Sequence, residues 1–164
     1  MKKLIVYYSM CGNTEYAANK IAEATGADVL RIAPVKAFPD KGAKKFLWGG
    51  KSAVFGDKPP LEPYDFKAEE YDLIILGTPV WASNITPPLR TFVCDNKEAL
   101  SGKRFAVFTC YSGGGAEKAI EKLKKLLEIQ SFDAELILTD PKDKPSDENE
   151  KLIFAFCDSI KNLR

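Results

Sequence analysis

Histidine is absent from the 164 residues of this chain. That removes the usual general base near neutral pH and the commonest metal ligand. Hydrolases built on Ser-His-Asp or Cys-His arrangements are thereby excluded, as is histidine-liganded metal catalysis. An excess of one charge is missing as well: 24 lysines and arginines face 23 aspartates and glutamates, a formal net charge of +1. With no long run of like charge, nothing points to nucleic acid or an anionic membrane surface. The basic clusters Lys44-Lys45 and Lys122, Lys124, Lys125 read as solvated helix faces. No apolar run is long enough to span a bilayer, and the short one behind Lys2-Lys3 is too short for a signal peptide, so a cytoplasmic protein is expected. Cys11, Cys94, Cys110 and Cys157 show neither CxxC nor metal-like spacing and are expected to be thiols. Without secretion, the sequon Asn84-Ile85-Thr86 carries little meaning.

What is present fits one globular domain over residues 1–164, with 45% apolar and 29% charged residues. Its organising stretch is Tyr7-Tyr8-Ser9-Met10-Cys11-Gly12-Asn13-Thr14, where an apolar run ends in small and polar residues and a helical pattern begins. A strand turning sharply into a helix leaves the first helical N–H groups unpaired, with the positive end of the macrodipole behind them. Such a turn binds phosphate readily. Ser9, Asn13 and Thr14 add hydroxyl and amide donors, and Gly12 permits a tight turn and close approach of an anion. No lysine or arginine sits in this loop, so a phosphate would rest on neutral dipoles.

In chain order, Leu4 to Tyr8 read as a central parallel strand covered on both faces. A helix follows from Thr14 to Thr25 with Ala17, Ile21 and Ala24 on one face, closed by Gly26. The charged segment Asp28 to Ile32 suits an edge strand. Gly42 to Phe55 reads as a short helix with Phe46, Leu47 and Trp48 packed, before Pro59-Pro60 and Pro63 force an extended crossing. Gly49-Gly50-Lys51-Ser52 is not a P-loop, since no strand precedes it and the earlier glycine is out of register. A buried strand, Leu73 to Thr78, leads to the loop Pro79-Val80-Trp81-Ala82-Ser83-Asn84, and Thr86-Pro87 opens a helix to about Cys94. The strand Phe105 to Cys110 runs into Tyr111-Ser112-Gly113-Gly114-Gly115 and a helix with Ala119, Leu123, Leu126 and Leu127 inward. Leu136-Ile137-Leu138 is a last strand, and Ser146 caps a helix with an apolar stripe of Leu152, Phe156, Ile160 and Leu163. This β-α alternation predicts a doubly wound parallel sheet between two helical layers. Ligands in such sheets bind outside the carboxyl ends of the strands, so loops 9–14, 78–84 and 110–115 are expected to converge on one pocket.

Those three loops resemble the flavodoxin family, and the resemblance covers nearly the whole chain. It implies a flavodoxin-like three-layer sandwich with a five-stranded parallel sheet in the order 2-1-3-4-5. The loop Ser9-Met10-Cys11-Gly12-Asn13-Thr14 is similar to the family's phosphate loop for flavin mononucleotide (FMN), with Cys11 where that pattern has a second threonine or serine. One hydrogen bond to phosphate, worth ~1 to 3 kcal/mol, is thereby lost. Gly77-Thr78-Pro79-Val80-Trp81-Ala82 resembles the loop that stacks an aromatic residue on the isoalloxazine, which makes Trp81 the expected partner and places Thr78 and Pro79 along the ribityl chain. Cys110 to Gly115 falls where flavodoxins meet the pyrimidine edge, here through Ser112, Gly113, Gly114 and Gly115. With glycine where many relatives carry a second aromatic, one flavin face is expected to stay open.

The resemblance implies an FMN-dependent electron carrier working with redox partner proteins, or an FMN-dependent reductase using NAD(P)H or a quinone. A fold that has lost FMN and serves as an interaction module is the rival outside redox chemistry. Near-neutral charge departs from the acidic surface usual in the carriers. The second loop also lacks the glycine whose peptide flips toward flavin N5, leaving Asn84 as the expected positive-φ residue. A low-molecular-weight tyrosine phosphatase would need arginine at position 17, which is Ala17, and a receiver domain would need acidic residues at its strand ends. Cys11, at a helix N-terminus, is either a reactive thiol beside the flavin or a small replacement for threonine. No disulfide to Cys110 is expected, because one strand intervenes.

Overall fold

Leu4, Ile5, Val6 and Tyr7 are all buried, which only a strand covered from both sides allows. They belong to β1 (Lys3–Tyr7), an inner strand of the sheet in a computed structural model that describes residues 1–39 and 43–163, over 43–48 as backbone only. The expected packing of Phe46, Leu47 and Trp48 and the solvated face at Lys44-Lys45 lie outside the described residues. After β1 come α1 (Asn13–Thr25), β2 (Asp28–Arg31), α2 (Ala43–Phe55), β3 (Leu73–Pro79), α3 (Pro87–Asp95), the short α4 (Lys97–Leu100), β4 (Arg104–Tyr111), α5 (Ala116–Leu127), β5 (Ala134–Thr139) and α6 (Asp147–Asn162). All pairings between these strands are parallel and their order is β2-β1-β3-β4-β5, the order the flavodoxin resemblance implies.

Because successive side chains in a strand point to opposite faces, each buried strand feeds two cores. Leu4, Val6, Ile74, Leu76, Phe105 and Val107 meet α3, α4 and α5 through Leu89, Phe92, Leu100, Ile120 and Leu123. Ile5, Tyr7, Leu73, Ile75, Ala106 and Phe108 meet α1 and α6 through Ala17, Ala18, Ile21, Ile153, Phe156 and Ile160. The stripe expected on α6 is corrected at one end: Leu152 is 41% exposed, and Ile153, with Cys157, takes the inward place. Position 152 lies one residue before the inward row 153-156-157-160, a shift of about 100° around a helix of 3.6 residues per turn.

Local signals act where expected. Gly26 closes α1 in the left-handed conformation, and Ser146 caps α6 by accepting the Asn149 N–H at 3.2 Å. Thr86 precedes Pro87 without a side-chain cap, its hydroxyl turned instead to Thr78 at 3.0 Å. No helix among the described residues is long and apolar enough to cross a membrane.

Candidate functional site

Beyond the carboxyl ends of β1, β3 and β4, the three loops surround a cleft of about 470 Å³. The first loop turns at Gly12, the N-cap of α1, whose φ of 93° suits glycine. Ser9 accepts the Gly12 N–H at 3.1 Å, which fixes the turn and leaves the Ser9 hydroxyl proton to be donated. Thr14 is 1% exposed, and its Oγ1 is sealed from solvent beside the Cys110 thiol, with no hydrogen bond of good geometry to any of the described residues. An orphaned hydroxyl of this kind costs about 1 to 3 kcal/mol. At the first turn of a helix, with unpaired N–H groups around it, a bound anionic oxygen removes that cost.

Asn13 does a different job from the donor role expected of it. Its Oδ1 accepts the backbone N–H groups of Lys142 at 2.8 Å and Asp143 at 3.2 Å, and its Nδ2 donates to Asp143 Oδ2 at 2.8 Å. The side-chain amide thus fastens the first loop to the β5–α6 connection. The same connection brings a cation to a loop that has none of its own: Lys142 Nζ donates to the Cys11 carbonyl at 3.2 Å. The expectation of neutral dipoles alone is corrected by a residue about 130 positions away in sequence.

The second loop is a tight turn from Trp81 to Asn84, closed by Trp81 N–H to Asn84 O at 2.9 Å and Asn84 N–H to Trp81 O at 3.0 Å. Its central residues Ala82 and Ser83 have φ of 49° and 57°, both left-handed, as a type I′ turn requires. Asn84, expected to carry the positive φ, is not among the positive-φ residues. It is the last residue of the turn, one step past the left-handed pair, and is buried, with Nδ2 donating to the Ala53 carbonyl of α2 at 3.2 Å. Trp81 meets Tyr8 and Phe38 edge to face, at ring-centroid distances of 5.9 and 5.2 Å. It is backed by Gly49 of α2, where a Cβ would stand 3.1 Å from the indole. On the other flank Gly115 makes room for Ser83, whose Oγ would lie 2.2 Å from an added Cβ.

The third loop leaves β4 at Tyr111, and Ser112 donates to Asp140 Oδ1 at 2.5 Å. Asp140, 6% exposed, also pairs with Lys144 at 2.9 Å. Burial is the main influence on Cys110, Tyr7 and Tyr8 at this end of the sheet. It pushes the Cys110 thiol up to about 12, with the Asp140 charge adding and the neighbouring Thr14 hydroxyl opposing. It pushes Tyr8 up to about 12, with Cys11 adding, and Tyr7 likewise to about 12, with Glu15 adding.

Ser9, Met10, Cys11, Asn13, Thr14, Pro79, Val80, Trp81, Ala82, Cys110, Ser112, Gly113 and Gly114 all line the cleft. Gly12, Thr78 and Gly115 do not. Thr78 is fully buried, and its hydroxyl accepts the Thr86 N–H at 3.2 Å, which ties the second loop to the start of α3. Gly12 and Gly115 act through backbone shape. Ser83 and Tyr111, inside the expected loops but given no role of their own, line it too, and sequence reasoning missed Gly50, Asp140 and Asp143. Tyr111 puts an aromatic residue beside the glycines of the third loop. The polar run Asp140-Pro141-Lys142-Asp143 after the fifth strand was the available signal for a fourth loop.

A family model described as Flavodoxin matches residues 2–144. Among solved structures, the chain is similar to a flavoprotein from Lactobacillus acidophilus NCFM in complex with FMN, at 21% identity and a TM-score of 0.70, covering 92% of this chain and 97% of that one. It is similar to two-electron reduced Megasphaera elsdenii flavodoxin at 24% identity and a TM-score of 0.58, over 96% and 99% of the two chains. Oxidised flavodoxin 1 from Bacillus cereus matches over 100% of both chains at 22% identity and a TM-score of 0.55.

Proposed function

The chain belongs to the flavodoxin family, and on that premise we propose that it binds FMN in the cleft and carries electrons between redox partners. The residues present fit the cofactor. The observation that carries the reading is the sealed, unpartnered Thr14 hydroxyl at the first turn of α1, which a phosphate oxygen completes. Ser9, Thr14 and the first-turn N–H groups of α1 hold phosphate. Pro79 and Val80 line the way to the ring, Trp81 gives it an apolar wall, and Ser112, Gly113 and Gly114 meet its polar edge. The flavin supplies one- and two-electron redox chemistry, and the protein supplies position and electrostatics. Carriers of this kind meet partner proteins, and a net charge of +1 gives little long-range steering toward them. The four thiols suit a reducing, cytoplasmic setting.

One observation favours a second reading, an FMN-dependent reductase of NAD(P)H or quinone type. Gly113 and Gly114 are exposed, with nothing within 4 Å of where a Cβ would be, so the ring edge they meet is open to a small donor. A visible absorption spectrum of the purified protein with excess FMN, after removal of unbound flavin, tests both readings. Bound flavin, reduced in Trp81→Ala, is the expected result. Stepwise reduction through two separate one-electron waves supports the carrier, and rapid bleaching by NAD(P)H supports the reductase. A protein that retains no flavin overturns both and leaves the interaction module.

A further inference from the structure

The first loop holds the phosphate of FMN, on the reading above, without a basic residue of its own, and a phosphate monoester carries about 1.5 to 2 negative charges at neutral pH. A cation nevertheless reaches it. Lys142 Nζ donates to the Cys11 carbonyl at 3.2 Å and lies 2.9 Å from where a Cβ on Gly12 would be, so the ammonium rests directly on the loop's glycine. Any side chain at position 12 would displace it.

This placement is held at the backbone. Asn13 Oδ1 accepts the Lys142 and Asp143 N–H groups together, so the connection that carries Lys142 is pinned to the first residue of α1. Lys142 also differs from its neighbour: Lys144 is paired with Asp140 at 2.9 Å, whereas no carboxylate among the described residues lies within 4.0 Å of Lys142 Nζ. No ion pair therefore holds its ammonium, whose hydrogen bond is to the neutral Cys11 carbonyl. A second and independent feature points to a ligand at the same turn: Thr14 lines the cleft, and its buried Oγ1 has no hydrogen-bond partner among the described residues.

We propose that Lys142 is a phosphate-recognition residue, supplied to the first loop by the β5–α6 connection, and that it makes the cleft prefer a phosphorylated flavin over its dephosphorylated form. Asp143 opposes it. That carboxylate lines the cleft, and Asn13 Nδ2 holds it there at 2.8 Å. Between them the two residues set the charge that a phosphate meets on arrival, with opposite signs and from adjacent positions.

The proposal rests on flavin binding, and its test separates the two. Dissociation constants of the full chain for FMN and for riboflavin are measured by quenching of flavin fluorescence, at ionic strengths of roughly 0.02 and 0.5 M, where the Debye length falls from about 20 Å to a few ångströms. Lys142→Met is expected to weaken FMN about tenfold at low salt and by much less at high salt, with riboflavin unchanged. Lys142→Arg keeps the wild-type FMN affinity, and Asp143→Asn tightens FMN at low salt only. If Lys142→Met leaves FMN affinity unchanged, or weakens FMN and riboflavin alike, the proposal is overturned and the lysine merely ties two loops together. If the wild-type chain binds neither flavin, the reading on which the proposal stands fails first.

Discussion

Cys110 and Cys11 line the same cleft and differ in every other respect. Cys110 is the penultimate residue of β4 and 5% exposed, and burial pushes its thiol up to about 12. Cys157, on the inner face of α6, is pushed in the same direction by burial. Since the thiolate is the reactive form, both are expected to be inert in the folded protein. Cys11 and Cys94 are half-buried and within reach of a reagent. At pH 8, an aromatic disulfide reagent is therefore expected to titrate two thiols of the native protein and four after denaturation, with excess FMN slowing one of the first two. Four equally fast thiols would sink this assignment. In the sequence all four look alike, because only tertiary packing decides which are sealed. Asn13 shows the same limit: a donor type at a helix start was legible, but not that three hydrogen bonds to residues 142 and 143 already occupy it.

At the scale of elements, the turn from Trp81 to Asn84 was the least legible part of the site. A two-residue turn with both central residues left-handed ordinarily announces itself by Asn-Gly or Gly-Gly, and Ala82-Ser83 carries neither signal. The neighbours impose the shape. Asn84 and Arg90 bond the Ala53 carbonyl, Lys122 Nζ donates to the Ser83 carbonyl at 3.0 Å, and Gly115 leaves Ser83 its space. A left-handed alanine costs on the order of 1 kcal/mol or more, stored beside the cleft. Ala82 is exposed, so Ala82→Gly removes that strain with no packing lost. It is expected to raise stability by about 0.5 to 1 kcal/mol in urea unfolding, after the entropic cost of glycine in the unfolded chain. A midpoint that stays level or falls would mean that the turn is not strained. By contrast, β1, β3 and β4 were readable from their uninterrupted apolar runs, since a fully covered strand has no solvent face to interrupt them.

For the molecule as a whole, β-α alternation was enough to place three loops at one end of the sheet, but not the fourth. β5 is an edge strand with two strands between it and β1, and nothing local says that the connection after it returns to the first loop. It returns because α6 packs on the same face as α1, beside it, so that residues 140–144 enter α6 next to the start of α1. The same end of the sheet collects the groups that set alkaline stability. Tyr7, Tyr8 and Cys110 have folded pKa values of about 12, against ordinary values of 10.0, 10.0 and 9.0. A folded pKa raised in this way means that the native state resists losing the proton. The stabilisation is complete below the unfolded value and is lost as pH climbs toward the folded one, at about 1.4 kcal/mol for each unit of separation. The urea midpoint is therefore expected to hold level from neutral pH to about 9 and to fall steadily from there toward 12. Tyr8→Phe, which has no proton to lose, is expected to flatten part of that fall while leaving the level region in place. A midpoint that does not change up to pH of about 11.5 would show that these side chains ionise as freely in the folded protein as in the unfolded chain.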